Sequence, residues 1–452
     1  MSATLVNPLA PWVATVPKHW QVRRLGSIAD VMFSNVDKHT IEGELPIGLC
    51  NYTDVYKNDR VTSRIEFMQA SGLQREIEKF QVRKGDVLAT KDSEDPNDIA
   101  VSALIAEELP NVLCGYHLAL IRPQPKHLAG EYLAWVQSSK GILAQYEAQA
   151  VGVTRFALSQ AAFKEAVLPV PPPAEQRRIA GYLDEATGKV DRLVALRRRQ
   201  MELLREQRAA LIQQAVTRGL NPNATFKDSC LLWLGQIPKH WEVKRLGSIA
   251  TVKARLGWKG LKAEEYVAEG YIFLATPNIK GDEIDFENVN YITKERYQES
   301  PEIMLREGDI LVAKDGATLG ITALVNQLPA PATVNGSIAV IRPYRECSGG
   351  FLAAWFRSHS IQRLIDMMKG GMGVPHLFQS DLRRFPIIIP PEKEQLQIIA
   401  FIEKETAKLG GLLSAYTRQL ELLTEYRAAL IHECVTGQRA VPESFTIINP
   451  RN

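Results

Sequence analysis

The stretch at 174–217, AEQRRIAGYLDEATGKVDRLVALRRRQMELLREQRAALIQQAVT, decides the fold, because the chain contains it twice. At 393–436 the sequence reads KEQLQIIAFIEKETAKLGGLLSAYTRQLELLTEYRAALIHECVT, at a constant offset of 219. Identical pairs include Glu175/Glu394, Gln176/Gln395, Arg199/Arg418, Glu202/Glu421 and the run RAALI at 208–212 and 427–431. In the second copy Leu409, Leu413, Tyr416, Leu420, Leu423, Leu430 and Cys434 recur at spacings built from threes and fours, which places them on one helical stripe. Their counterparts are Val190, Val194, Arg197, Met201, Leu204, Leu211 and Ala215. A seven-residue repeat of this kind is a coiled-coil seam. Pro171–Pro173 and Pro390–Pro391 precede the helices, glutamates occupy the first turns, and Gly219 and Gly437 follow the last turns. Gly188, Gly410 and Gly411 each weaken a helix by about 1 kcal/mol. The pattern therefore predicts a short lead-in helix, a hinge near 186–188 or 405–411, and then a long helix. The segment 189–217 alone would be roughly 43 Å long. Two such seams in one chain most simply bury themselves against each other.

Working outward, the repeat takes in the rest of the chain. VPKHWQVRRLGSIA at 16–29 returns as IPKHWEVKRLGSIA at 237–250, RKGDVLATKD at 83–92 as REGDILVAKD at 306–315, and LIRP at 120–123 as VIRP at 340–343. The unit is too long for a solenoid repeat, so this is a tandem duplication. The divisions expected are a lead-in (1–20), a first globular domain (21–168), a first helical region (169–219), a linker with the second lead-in (220–241), a second globular domain (242–386), a second helical region (387–438) and a tail (439–452). Both globular domains read as mixed α/β. Val82–Thr90 and Leu305–Ala313 look like strand–turn–strand around Gly85-Asp86 and Gly308-Asp309. Leu118–Ile121 and Ile338–Ile341 read as further strands, and Tyr132–Gln137 and Phe351–Ile365 as helices. The fold class expected is α+β: a tandem pseudo-twofold duplication of two mixed domains, with two long helices paired as an antiparallel coiled coil. Residues 31–80 and 251–304 have little in common, whereas the frame around them matches. That contrast suggests two related modules that recognise different things.

Composition sets the outer bounds. The 452 residues are enough for about three domains, and 45% hydrophobic with 23% charged residues is ordinary globular content. A net charge of +3 does not by itself argue for nucleic acid, so any basic surface must be local. Cys50, Cys114, Cys230, Cys347 and Cys434 are scattered, with no CxxC pair. That speaks against a zinc site or disulfide framework and suits the reducing cytoplasm. The first residues carry prolines where a signal peptide needs an apolar core, and no apolar run is long enough to span a membrane.

Catalytic chemistry is sparse. The chain has no GxGxxG, no GxxxxGK[ST], no HExxH and no [DN]PP[YF] tetrapeptide. Asp86…Lys91 and Asp309…Lys314 faintly suggest a metal-dependent nuclease. That chemistry wants an acid two residues before the lysine, where Ala89 and Val312 stand. A hairpin with a lysine at its exposed end is the favoured reading. His19 and His240, beside Trp20 and Trp241, read as packing of the lead-in, and Arg197–Arg199 as a solvated helix face. No catalytic residue, metal ligand or cofactor is assigned. Basic residues interleaved with an aromatic do appear, in a pattern suited to phosphate and base contact. Lys253, Arg255, Trp258, Lys259 and Lys262 crowd one stretch of the second domain, with Lys280 beyond; the first domain offers Lys57, Arg60, Arg64 and Lys91.

Taken together, the IPKHWEVKRLG lead-in, RLGWKGL at 255–261, GDILVAKDGATLG at 308–320, the PPxxEQ start of each helix and its RAALIxxxVT end make the whole chain resemble the specificity subunit of type I restriction–modification systems. The resemblance implies two target-recognition domains, each reading one half of a gapped, asymmetric site in double-stranded DNA. It implies conserved helices that set the gap and recruit two adenine-N6 methyltransferase subunits, joined by a restriction/translocase subunit. S-adenosylmethionine and ATP would belong to those partners. The DNA face of the second domain would then include Arg255, Trp258, Lys259, Lys314 and the loop around Gly373–His376. That of the first would include Lys91 and the loop 152–155 with Thr154 and Arg155. The first domain departs from the pattern, having no GWKGL and reading SEDPNDIA after Lys91-Asp92, where the second reads GATLG after Lys314-Asp315. Its acidic pair Glu94-Asp95 would repel phosphate and is expected to point at a base edge or away from DNA. Two other readings stay open: a coiled-coil scaffold whose domains bind protein, and a stand-alone nuclease, against which the missing motifs argue.

Overall fold

The computed structural model describes residues 10–255, 261, 263–368, 376–443 and 445. The chain divides into two compact units, one formed by 1–197 with 417–452 and the other by 198–416. Each unit thus holds the first part of one long helix and the last part of the other, so that within each the two helices run antiparallel.

The helices themselves are Pro173–Arg218, 46 residues and roughly 69 Å, and Glu392–Val435, 44 residues and roughly 66 Å. The expected hinge is not there: both run unbroken through Gly188, Gly410 and Gly411. Losing about 1 kcal/mol per glycine does not break a helix whose neighbouring turns are anchored. Leu183, Thr187 and Val190 are buried around Gly188, Thr187 Oγ1 bonds the Leu183 carbonyl at 2.6 Å, and Leu409 is buried beside Gly410. Every expected seam position is buried or half-buried, and most positions between them are exposed. The helices end at Gly219 (φ +72°) and Gly437 (φ +75°), left-handed positions that glycine adopts without strain.

In the first unit a five-stranded sheet runs in the order Ala29–Phe33, Leu118–Pro123, Val87–Thr90, Ser102–Ile105, Arg60–Val61. All its pairs are antiparallel except the last. A smaller sheet joins Met68–Gly72, Leu45–Cys50 and Val112–Cys114. The largest core packs one face of the main sheet on Tyr132, Leu133, Val136 and Phe163. It also takes in Ile179, Ala180 and Leu183 of the first long helix and Leu430, Ile431, Cys434 and Val435 of the second. The second unit repeats the plan with Ala250–Lys253, Ile338–Pro343, Ile310–Ala313 and Thr322–Leu324 in one sheet, and Asn290–Ile292, Tyr271–Leu274 and Ala332–Val334 in another. Its main core joins Phe351, Trp355 and Phe356 to Ile212, Ala215 and Val216 of the first helix and Ile398 and Ile402 of the second.

Repeated residues make the repeated contacts. Trp20 Nε1 donates to Glu175 Oε2 at 3.1 Å, and His19 Nε2 lies 3.0 Å from the same oxygen; Trp241 and His240 do the same to Glu394 at 3.0 and 2.7 Å. Gln176 Nε2 donates to the carbonyls of His127 and Pro171, and its Oε1 accepts from the Ala129 amide. Gln395 repeats this with Glu346, Pro390 and Ser348. The Glu-Gln pair at each helix start is therefore a double clamp, the glutamate on the lead-in and the glutamine on the globular domain. The arginine of each RAALI run fastens the other end. Arg427 pairs with Asp59 at 2.6 Å and Asp191 at 3.0 Å, and Arg208 with Asp282. Asp59 and Asp282 lie in the two middles that share little sequence.

Two local expectations need correction. Only the second arm of each expected strand–turn–strand is a strand. The Arg83 and Arg306 amides ahead of the turns are taken by the carboxylates of Asp86 and Asp309, at 2.9 and 2.8 Å, which removes them from any ladder. The expected helix 351–365 is two helices, Gly349–Arg357 and His359–Met368, divided where Ser358 adopts an extended backbone (ψ 147°).

Candidate nucleic-acid interface

Each main sheet carries its central strand to a Lys-Asp pair. In the first unit Val87–Thr90 runs into Lys91-Asp92. The Lys91 amide donates to the His117 carbonyl at 3.1 Å, and the Lys91 carbonyl accepts from the Leu158 amide at 2.8 Å. The returning segment Phe156–Ala157 pairs with Asp92–Ser93. In the second unit Ile310–Ala313 runs into Lys314-Asp315. There Lys314 is bracketed in the same way, by Ser337 and Leu377, both at 2.8 Å. The two corners share one backbone plan: strand end, lysine, aspartate and a loop that comes back over them.

The side chains differ. The Lys91 ammonium lies 4.4 Å from the centroid of the Tyr116 ring and 5.4 Å from that of Phe33, positions of cation–π attraction. The Asp92 carboxylate accepts from Arg155 Nη2 at 2.6 Å, lies 3.0 Å from His117 Nδ1 and stands 4.0 Å from Lys91 Nζ. The Asp92 hydrogen bond and charge push the Arg155 guanidinium further up, holding it charged. In the second corner Asp315 hydrogen-bonds His376 Nδ1 and lies 3.5 Å from Lys314 Nζ. Burial opposes ionisation of Asp315, but hydrogen bonds from Ser337 and His376 and the Lys314 charge outweigh it. The carboxyl is held below its ordinary range. The expectation of an exposed lysine at a hairpin end is not met, since the side chains of Lys91 and Lys314 are only 15% and 12% exposed. Tyr116, Phe33 and Asp92 lie against Lys91, and Asp315 against Lys314.

The Gly-Asp part of the motif has a different task. Arg122 grips Asp86 through Nε and Nη2 at 2.9 and 2.7 Å; Arg342 grips Asp309 at 2.7 Å through each. Both carboxylates face inward, and the Asp309 side chain is fully buried. The acid of the faint nuclease pattern is thus a structural ion pair. Among the described residues no cluster of three or more His, Cys, Asp or Glu could hold a metal ion.

The remaining basic residues fall in separate places. Arg60 turns to the first long helix and pairs with Asp184, which also accepts from Trp135 Nε1 at 2.9 Å. Lys57 and Arg60 line a cavity of about 530 Å³ with Trp135, Asp191 and Arg427, not the Lys91 corner. Arg64 is exposed beyond Val61, and Thr154 is exposed in the loop that carries Arg155. In the second unit Lys253 ends its strand exposed, and Lys280 is exposed near a tight turn. The Arg255 side chain is only 5% exposed, its Nη2 3.7 Å from Glu299, which Arg296 also engages. Trp258, Lys259 and Lys262, and 373–375 of the second loop, lie outside the described residues. Of the acidic pair in the first loop, Asp95 turns back to cap the Asn97 amide at 2.9 Å. Asp92, Asp315, His117 and Ser337 are missing from the sequence-level assignment. Asp92 and His117 meet across 25 residues of chain, a distance that local spacing does not register. The available signal was the Lys-Asp pair recurring in both halves.

Comparison with known proteins bears on both halves. A family described as the type I restriction modification DNA specificity domain matches residues 17–200 and again 238–411. The MjaIX specificity subunit of a type I restriction enzyme from Methanocaldococcus jannaschii is 24% identical over 446 residues, covering 95% of this chain and 96% of its own. A solved structure described by the assembly and conformational transition of a type I restriction–modification system superposes with TM-score 0.72 at 18% identity, covering 94% of this chain and 99% of its own. The HsdS subunit from Thermoanaerobacter tengcongensis follows at TM-score 0.53, also 18% identical, covering 94% and 98%. At these identities the two structures speak for the fold.

Proposed function

Because this chain belongs to the type I restriction modification DNA specificity family, we propose that it is the non-catalytic DNA-specificity subunit of such a complex. Each recognition domain reads one half of a gapped, asymmetric site in double-stranded DNA. The long helices set the gap and recruit two adenine-N6 methyltransferase subunits, and the restriction/translocase subunit joins that core. The subunit itself uses no cofactor. It works in the cytoplasm, a placement supported by five cysteines that are all free thiols. Among the described residues no helix is long and apolar enough to cross a membrane.

The observation that carries this reading is the Lys-Asp corner, built once in each unit on the same backbone plan and furnished each time with different side chains. Two such corners suit two different half-sites, since phosphate contacts position a protein and base edges specify the sequence. Beyond the corner lysines, Arg64, Thr154 and Arg155 of the first domain, and Lys253, Arg255, Lys280 and His376 of the second, are assigned to the duplex as further donors; Arg255 would have to leave Glu299 to reach it. Trp258, Lys259 and Lys262 belong to the same assignment. Lys57 and Arg60 contribute at the edge of the first domain next to the helices.

The test is co-expression with a methyltransferase subunit of the same system, followed by mapping of adenine methylation across host DNA. One gapped, asymmetric motif, present only when this chain is present, is the expected result. A stable complex that yields no new methylation and binds DNA without salt dependence would overturn the reading in favour of a protein-binding scaffold. Counterion release demands that log affinity fall with log salt at about 0.9 per neutralised phosphate.

A further inference from the structure

A carboxylate is an unexpected group to place where DNA is to be held, since it repels phosphate. Yet each unit places one directly after its corner lysine. Asp92 is 11% exposed and engages Arg155 through one oxygen and His117 through the other. Asp315 engages His376 through one oxygen and faces Lys314 through the other. Both carboxylates therefore act on protein cations and not on a base edge of their own. Arg155 and His376, which they hold, come from the returning segments. Backbone pairing of Val151 with Ala157 closes the loop, while the side chains of Val151 and Val153, just ahead of Arg155, are 77% and 92% exposed and do not pack it down.

We propose that Asp92 and Asp315 are positioning residues for sequence discrimination, each fixing the side chain of its returning loop, Arg155 or His376, at the angle from which that side chain meets a base edge. This rests on the chain being a DNA-specificity subunit. An arginine free to rotate reaches phosphates and many base edges alike, whereas one tethered through Nη2 offers its remaining N–H donors in one direction. A guanidinium offered in this way suits the paired acceptors of guanine in the major groove. Fixing the side chain before DNA arrives also removes an ordering cost that binding would otherwise bear. The two aspartates serve different half-sites, because they sit in different units.

The experiment uses the full complex with its methyltransferase subunits, after the target has been read from host methylation. Wild type, Asp92→Asn and Asp315→Asn are compared on four duplexes: the mapped target, each half-site scrambled in turn, and both scrambled. A wild-type complex that does not discriminate among these overturns the DNA-specificity reading itself. Given wild-type discrimination, Asp92→Asn is expected to lose about ten-fold of it at one half-site only, and Asp315→Asn at the other. Affinity for the doubly scrambled duplex should hold or rise, because a negative charge has gone. The untouched half-site reports that the protein is folded. The double variant Asp92→Asn/Arg155→Ala should discriminate no worse than Arg155→Ala alone, the non-additivity of two groups acting as one. Retained discrimination in both single variants, loss at both half-sites together, or additive losses in the double variant would each overturn the positioning role.

Discussion

Replacing Arg342 by leucine isolates the ion pair under the second corner. Arg342 meets Asp309 through two hydrogen bonds of 2.7 Å and sends a third to the Met304 carbonyl at 2.8 Å. The Asp309 side chain is fully buried, and its other support is the Arg306 amide at 2.8 Å. Arg342→Leu strands that carboxylate without its counter-charge, a change that costs about 3–5 kcal/mol. At about 1.4 kcal/mol per factor of ten, the folding equilibrium shifts by roughly two to three and a half powers of ten. Total stabilities are typically only about 5–15 kcal/mol. Arg199→Ala is the contrast: its partner Glu202 and the arginine itself are both more than half exposed, and the loss should stay below about 1 kcal/mol. Urea titration followed by circular dichroism would be paired with native-state hydrogen exchange, because two units need not unfold as one. Protection should fall in Ile310–Ala313 and Ile338–Pro343 and hold in the first unit's sheet. Arg342→Leu/Asp309→Leu should recover most of the loss, since the desolvated charge goes with its partner. A cost under about 1 kcal/mol, or a double variant no better than the single, would refute the argument.

Three further outcomes are expected. Four residues inserted within 189–217 lengthen that helix by roughly 6 Å, so the gap in the methylated motif should change while both half-sites persist; an unchanged gap would discard the helix as ruler. Glu394→Ala removes the acceptor of the buried Trp241 indole and should cost about 1–3 kcal/mol, read as lost exchange protection of Glu242–Arg245. His432, 3.0 Å from Ser139 Oγ, is held below the ordinary histidine range of about 6.5 by burial. The unfolded chain therefore binds that proton more readily, and His432 withdraws stability as pH falls through and below that range. His432→Gln, which copies Gln213 at the equivalent place in the second unit, should flatten the acid limb of the first unit's stability in urea titrations from pH 7 to 5.

The frame of this molecule could be read from its sequence because it is repetitive. Two copies of one seam, two EQ pairs and two GD…KD runs locate the helices, the clamps and the corners before any coordinates. The hinge failed because a glycine's intrinsic cost is local, whereas the turns around Gly188 are held by side chains from distant parts of the chain. The corner lysines were misjudged for a related reason. Tyr116 lies 25 residues from Lys91, and only the sheet register brings its ring over the ammonium. Arg60 reads as a basic neighbour of Lys57 and Arg64, yet it pairs with Asp184 on a helix that starts more than a hundred residues later. Charge clusters in sequence do not say which way each side chain turns.

The discontinuous make-up of the first unit carries a consequence for how the protein is made. The second unit, 198–416, is one uninterrupted length of chain, while the first waits for 417–452. Tyr132 bonds the Val435 carbonyl across 303 positions, and Leu430 through Val435 complete the core begun by Trp20 and Leu25. On the ribosome the earlier-synthesised domain must therefore stay incomplete for roughly 10–40 s while the later one emerges and closes. Its apolar face is open for all of that time. Loss of the final helical turns would harm the domain made first, not the one made last, and nascent-chain chaperones would be needed chiefly by the amino-terminal half.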